Sequence, residues 1–442
     1  MSTATITRAE IIDLRFPTSE EQHGSDAVHV DPDYSAAYVV LHTDAPIAGH
    51  GLTFTIGRGN EIVCQAIESL STLVVGKTLA DIAKDRRAFW RSLAQDSQFR
   101  WLGPEKGVMQ LALAALVNAV WDLEARLANK PLWKLLAEMP AETLVAATDF
   151  HGIRDAVDET AMLAMLHAND ATRAERIARV EREGFPAYTT SCGWIGYSDD
   201  VVRARCREAI TEGFTHFKMK IGQSIADDVR RARIIREEIG PDRVLMVDAN
   251  QRFDVREAIE WIKPLAPFGI WWFEEPVSPD DILGHAEIAR SIAPIKVATG
   301  EQCQNRVMFK QFLASGGMQI CQLDSCRVGG VNDNLAIMAL ARRYGVPVCP
   351  HAGGVGLCEL VAHLVLVDYI RFNPTMEGRV CEFVDHLHEH FVDPCVIKGG
   401  RYCAPTKPGY SSEIKRGSLA AFAFPNGPEW TRRAIFRAKG IA

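Results

Sequence analysis

The sequence has no excess of positive charge, no paired cysteines and no glycine-rich dinucleotide loop, and each absence removes a class of protein. A formal net charge of -7 argues against non-specific binding to nucleic acid and gives no support for attachment to a membrane surface. No uninterrupted apolar run approaches the ~20 residues needed to cross a bilayer. The opening residues, MSTATITRAEIIDLRF, lack the basic and apolar regions of a secretory signal. The eleven cysteines are scattered, odd in number and without a CxxC pair, which predicts reduced thiols in a cytoplasmic protein. Cys349-Pro350-His351 could supply two zinc ligands, but no matching pair accompanies it. No GxGxxG follows the first strand of the α/β region, which disfavours an open doubly wound sheet.

What the chain does have is a large apolar fraction, 47% of 442 residues, and a regular alternation of strands and helices. In HFKMKIG, His216 to Gly222, apolar Phe217, Met219 and Ile221 take one parity while His216, Lys218 and Lys220 take the other. Such alternation is that of a β-strand. It puts two lysines side by side on one face, where they repel. Further strand-like segments end in Asp248 (RVLMVDAN), Glu274 (GIWWFEEP), Glu301 (IKVATGE), Asp324 (MQICQLD) and His351 (VPVCPH), with RVCEF and PAYTTS completing eight. Amphipathic helices separate them. Near-continuous apolar strands covered by helices predict a parallel sheet, and eight units predict an α/β fold of the (β/α)8-barrel type.

Spacing carries the functional argument. Lys220 to Asp248 is 28 residues, Asp248 to Glu274 is 26 and Glu274 to Glu301 is 27; Asp324 follows after 23 and His351 after 27. One ionisable group per unit, always where the strand runs out, puts all of them at the C-terminal mouth of a barrel. A single charge at a strand end is ordinarily the start of a solvated loop, but six in register are not.

Three converging carboxylates, Asp248, Glu274 and Glu301, cannot all ionise without a cation. Oxygen-only ligands with room for water suit Mg²⁺, one per site. A bound Mg²⁺ can chelate a substrate carboxylate and stabilise an enediolate. Lys220 is the candidate base, if repulsion from Lys218 and the metal depresses its pKa. The second lysine, Lys218, could then bind a substrate oxygen. His351 should reach the opposite face of the same substrate, with Asp324 orienting its imidazole. Such a set supports either proton transfer between faces or loss of a β-hydroxyl as water. A metallohydrolase reading fails for want of an HxH pair near the first strand and of a histidine-rich ligand set.

This set, KxK, DxN (Asp248, Asn250), FEEP, TGE, Asp324 and His351, resembles the mandelate racemase branch of the enolase superfamily, whose lysine or histidine base works beside Mg²⁺. Three further stretches are similar to the L-fuconate dehydratases: HGSDAVHVDPDYSAAYVVLHTD from His23, GFPAYTTSCGW from Gly184, and TMEGRVCEF with Glu382. The resemblance implies that residues 1–145 form an α+β capping domain. A lid loop at about 20–35 would contribute Gly24, Ser25, Asp26 and Tyr34 to substrate binding. Residues 146–185 would be a helical insertion, 186–395 the barrel, and 396–442 a tail returning to the cap. Lys218, Asn250 and Glu382 would contact substrate. The implied reaction is dehydration of an acid sugar, L-fuconate, to a 2-keto-3-deoxy acid by a cytoplasmic homo-oligomer. An epimerase or racemase, a dehydratase of another aldonic acid, and a non-catalytic binding protein are the alternatives.

Overall fold

The computed structural model describes residues 4–438. An antiparallel sheet comes first, in the order β1 (Ile6–Arg15), β2 (Ser35–Thr43), β3 (Ala48–Thr55). The helix Gly107–Leu127 lies across β3. Close approach is possible because β3 carries glycines there. A Cβ on Gly49 would stand 2.3 Å from Ala119 O, and one on Gly51 2.1 Å from Ala115 O. This helix is long and apolar enough to cross a bilayer, a property not anticipated from the sequence because Gln110, Asn118 and Asp122 interrupt the run. It is buried almost throughout as the core helix of the cap.

The second layer system is the barrel. Its strands are β4 (Phe185–Gly193), β5 (His216–Lys220), β6 (Val244–Asp248), β7 (Ile270–Glu274), β8 (Lys296–Thr299) and β9 (Ile320–Cys321), all parallel in sequence order. β10 (Cys381–Phe383) pairs with β4 in parallel and closes the ring. The expected seventh strand, VPVCPH, survives only as a bridge between Cys321 and Val348. Pro347 and Pro350 flank it and have no N–H to donate to a ladder. Cys349 N still donates to Cys321 O at 2.9 Å, and His351 N to Leu323 O at 3.0 Å, so the chain follows the barrel wall.

Both parities of the strands find apolar surroundings. Outward-facing Phe217, Met219 and Ile221 are fully buried under the helices. Inward, one residue from nearly every strand forms a separate apolar layer: Tyr188, Met246, Trp272, Ala298, Ile320, Cys349 and Val380. The contribution of β5 to this layer is Lys218, in register with Met246. A barrel interior filled by such a layer is a plug, not a pore.

The cap sits on the loop that follows β9. Thr53 Oγ1 donates to Cys326 O, Asn118 Nδ2 to Ser325 O, and Trp90 Nε1 to Gly329 O at 2.7 Å. The tail begins with a hairpin, β11 (Ile397–Lys398) and β12 (Arg401–Tyr402), whose second strand pairs with the start of β4. It then reaches the cap, where Trp430 Nε1 donates to Arg15 O. Helices Glu159–Ala168 and Arg173–Glu183 pack outside the barrel; Asn169 and Arg176 donate to the carbonyls of 370–372.

Arg306 ties these parts together. Fully buried, it pairs with Glu105 of the cap, Asp149 before the outer helices and Asp333 of the barrel. Removing one partner of a buried charge cluster leaves the others uncompensated. Arg306→Met is therefore expected to cost about 3–5 kcal/mol of unfolding free energy, measured by urea denaturation; a loss below about 1 kcal/mol would contradict this role.

Candidate active site

Register brings the site together. Lys220 lies opposite Asp248, and Asp248 opposite Glu274, so three strand ends place their charged groups side by side. Glu301 stands just beyond β8, Asp324 beyond β9 and His351 beyond the Cys321–Val348 bridge. Candidate ligand atoms of Asp248, Glu274 and Glu301 all fall within 4.8 Å of one another, and all three residues are buried. Glu301 Oε2 has no hydrogen-bond partner among the described residues.

The cluster is short of positive charge. Lys218 Nζ lies 2.6 Å from Glu274 Oε1, 2.7 Å from Glu382 Oε1 and 3.3 Å from Asp248 Oδ2. Lys220 Nζ donates to Asp248 Oδ2 at 2.6 Å and Asn250 Oδ1 at 2.8 Å. Burial and the neighbouring Asp248 push the Glu274 carboxyl up to about 8. Burial acts the same way on Asp248, but Lys220 and Lys218 overcome it and hold this carboxyl well below the usual range. Glu274 accepts from Lys218 Nζ and from Trp272 Nε1 at 3.0 Å, yet its charge is only partly balanced. Three clustered carboxylates with the Glu301 oxygen unpartnered fit a divalent ion with oxygen ligands.

In the metal-free protein the charges around Lys220 do not lower its pKa. Burial and Lys218 lower the Lys220 amine, but Asp248, Asp26 and Glu301 outweigh them and the net shift is upward. Lysine–lysine repulsion does not by itself free the amine, because each ammonium has closer carboxylate partners. Nor does Lys218 reach the cavity. It lies in the inner layer, 1% exposed, with its Nζ 5.4 Å above the Tyr188 ring.

On the other side, His351 Nδ1 is 2.8 Å from Asp324 Oδ2, which leaves Nε2 toward the cavity, 3.5 Å from Glu301 Oε2. Burial lowers the imidazole pKa, but Glu301, the Asp324 hydrogen bond and Glu382 outweigh this and raise it to about 9. The Gly353 N–H points at Nε2 at 3.1 Å, a contact that a neutral ring accepts. Three surrounding carboxylates against one amide dipole decide for the charged ring.

A cavity of about 300 Å³ lies over these groups. It is lined by Lys220, Asn250, Glu301, Asp324, His351 and Glu382 from the barrel, with Gly24, Asp26 and Tyr34 from the lid. Ser25 does not line it; its Oγ donates to Val30 O, and its carbonyl accepts from Ile195 N of the barrel. Asp26 is spent on the loop itself: Oδ1 accepts from the Val28 and His29 amides, and Oδ2 meets His29 Nδ1 at 3.0 Å. Gly24 is confined by Tyr34, whose hydroxyl oxygen would lie 2.2 Å from an added Cβ.

Several lining residues were not singled out from the sequence: His29, Arg58, Thr190, Trp194 and Arg327. Thr190 Oγ1 is buried without a partner. His29 had a signal in DAVH, an imidazole three residues after an aspartate in a polar loop; Arg58 and Arg327 had none.

Arrangements of this kind belong to barrel enzymes that move a proton beside a bound divalent ion. The chain belongs to the enolase superfamily. The family described as "Mandelate racemase / muconate lactonizing enzyme, N-terminal domain" matches residues 25–137, and "Enolase C-terminal domain-like" matches 201–418. The crystal structure of human Mitochondrial enolase superfamily member 1 superposes with a TM-score of 0.96 at 51% identity, covering 97% of this chain and 98% of that one. An L-galactonate dehydratase of Hypocrea jecorina is 50% identical over 437 residues, 97% of each chain. At 24% identity the fold alone is shared with a racemase from Streptomyces coelicolor A3(2) solved with bound magnesium (TM-score 0.75, 95% of this chain and 99% of that one). Neither close relative is named an L-fuconate dehydratase, so the resemblance is carried at the level of the superfamily and its sugar-acid enzymes. Mg²⁺ is the typical cofactor of this superfamily.

In metal-free protein the His351 ring is expected to keep its proton below about pH 9 and to lose it above. Replacing Asp324 by Asn removes a charge and a hydrogen bond that favour the protonated ring. Asp324→Asn should therefore move the His351 titration, followed by NMR, to lower pH; an unchanged midpoint would show that Asp324 does not set it.

Proposed function

We propose that the protein is a Mg²⁺-dependent dehydratase of sugar acids, with L-fuconate as the leading substrate. The observation that carries this reading is one cavity flanked by Lys220 on one side and the His351–Asp324 pair on the other, above three clustered carboxylates.

Asp248, Glu274 and Glu301 would hold the metal. When bound, it would supply positive charge to these carboxylates and stabilise the charge that develops on a substrate carboxylate. Lys220 takes the proton from C2. His351 gives its Nε2 proton to the C3 hydroxyl, which leaves as water, and Asp324 holds the ring in place through Nδ1. The enol left behind ketonises to the 2-keto-3-deoxy acid. Asn250 and Glu382 face the substrate from the floor, and Gly24 and Tyr34 from the lid.

L-Fuconate and L-galactonate share configuration from C2 to C5 and differ only at C6, a methyl in the first and a hydroxymethyl in the second. With the acid group at the charged floor, C6 would meet the cap side of the cavity, where apolar Phe54, Ile56 and Leu111 stand beside polar Thr55 and Arg58. The apolar three favour the methyl. An apolar wall rejects an added hydroxyl only weakly, by a factor of about 100 at most.

Assayed with Mg²⁺ for 2-keto acid, both substrates are expected to react, L-fuconate with the higher kcat/KM; preference for L-galactonate would refute the C6 argument. Lys220→Ala and His351→Ala should each lose at least about 100-fold in turnover. Exchange of the C2 proton in D₂O without keto product would instead identify an epimerase.

A further inference from the structure

The cysteines provide a second chemistry. Cys358 is 30 residues from His388, which is seven from Cys395, in no spacing that marks a metal motif, yet their ligand atoms lie within 4.8 Å of one another. None of them lines the catalytic cavity. Cys358 is near the start of the helix Leu357–Val367, which follows the His351 loop. His388 and Cys395 lie on the segment that leaves β10.

The imidazole is prepared as a ligand. His388 Nε2 donates to Val384 O at 2.7 Å, and the ring stacks on Phe383 with centroids 5.3 Å apart. A backbone carbonyl on the far nitrogen is the arrangement that fixes the tautomer of metal-bound histidines. The remaining nitrogen, Nδ1, faces Cys395 Sγ at 3.4 Å. Tetrahedral Zn²⁺ with ordinary Zn–S and Zn–N bonds would separate such atoms by about 3.5 Å.

A buried carboxylate stands beside the imidazole. Glu359, 1% exposed, puts Oε1 2.7 Å from His388 Nδ1 and 3.2 Å from Cys395 N. Its other oxygen, Oε2, is buried and has no partner. An unpaired buried carboxylate oxygen is costly unless something positive meets it.

We propose that Cys358, His388 and Cys395 form a Zn²⁺ site, separate from the Mg²⁺ site, with the Glu359 carboxylate beside the imidazole adding negative charge. Two thiolates and an imidazole select a borderline-soft ion and disfavour magnesium. Its ligands come from two segments, so the ion would pin the segment after β10 to the helix after His351. That segment carries His386, which packs on His23 and Tyr34 of the lid and on Trp194.

The test uses the full-length protein, purified under reducing conditions, stripped of metal and titrated with Co²⁺ alone. One equivalent should produce thiolate-to-cobalt charge-transfer absorption with tetrahedral visible bands. Zn²⁺ should abolish these bands and protect Cys358 and Cys395 from alkylation, read by peptide mass mapping. Cys395→Ser should lose the charge-transfer band and Asp248→Asn should keep it. Absence of the band in the unmutated protein, or equal alkylation of both thiols with and without Zn²⁺, overturns the proposal whether or not any variant folds. A band that persists in Cys395→Ser places the thiolate ligands elsewhere and overturns it too.

Discussion

The structure depends on a problem of charge crowding. Asp248, Glu274, Glu301 and Glu382 are buried around one point, and the chain supplies two lysines and a histidine to offset them. Bringing carboxylates out of water costs several kcal/mol each unless they are paired. The barrel bears that cost because its strands and their helices bury a very large apolar surface around the cluster. The instability is local, and a divalent ion relieves it. Stability is concentrated in the scaffold, and binding energy for a cation is stored at the mouth.

Division of labour between the two lysines follows from the same constraint. They are two residues apart on one strand and point the same way, yet one pitch of the pleat separates an inner plug from a reaction chamber. Lys218 is a counter-charge within the apolar layer, between Glu274 and Glu382. Lys220, one step nearer the mouth, is 11% exposed on its side chain and reaches the cavity. Alternation along a strand puts both on one face; only depth in the barrel assigns their tasks.

Much of the site was legible in the sequence because each group ends a strand, and strand ends are local. The run of apolar residues, its stop, and the acid or base at the stop all lie within seven or eight positions. The positions of Asp248, Glu274, Glu301, Asp324 and His351 follow from that pattern alone. What was not legible depends on contacts across the chain. The upward shift at Lys220 comes from partners on β6 and the lid. The spending of Asp26 on its own loop, which leaves His29 at the cavity, needs the turn geometry. VPVCPH reads as a strand by composition, yet its two prolines reduce it to a bridge. The grouping of Cys358, His388 and Cys395 leaves no trace in spacing, since the helix after His351 and the segment after β10 must meet.

The apolar layer below Lys218 has one more consequence. Dissolved ions cannot enter it, so they screen the pairs around Lys218 far less than they screen charges on the surface. The balance that poises the mouth is thus insulated from the ionic strength of its surroundings. Only the approach of the charged substrate and of the metal, which come through solvent, remains open to that influence.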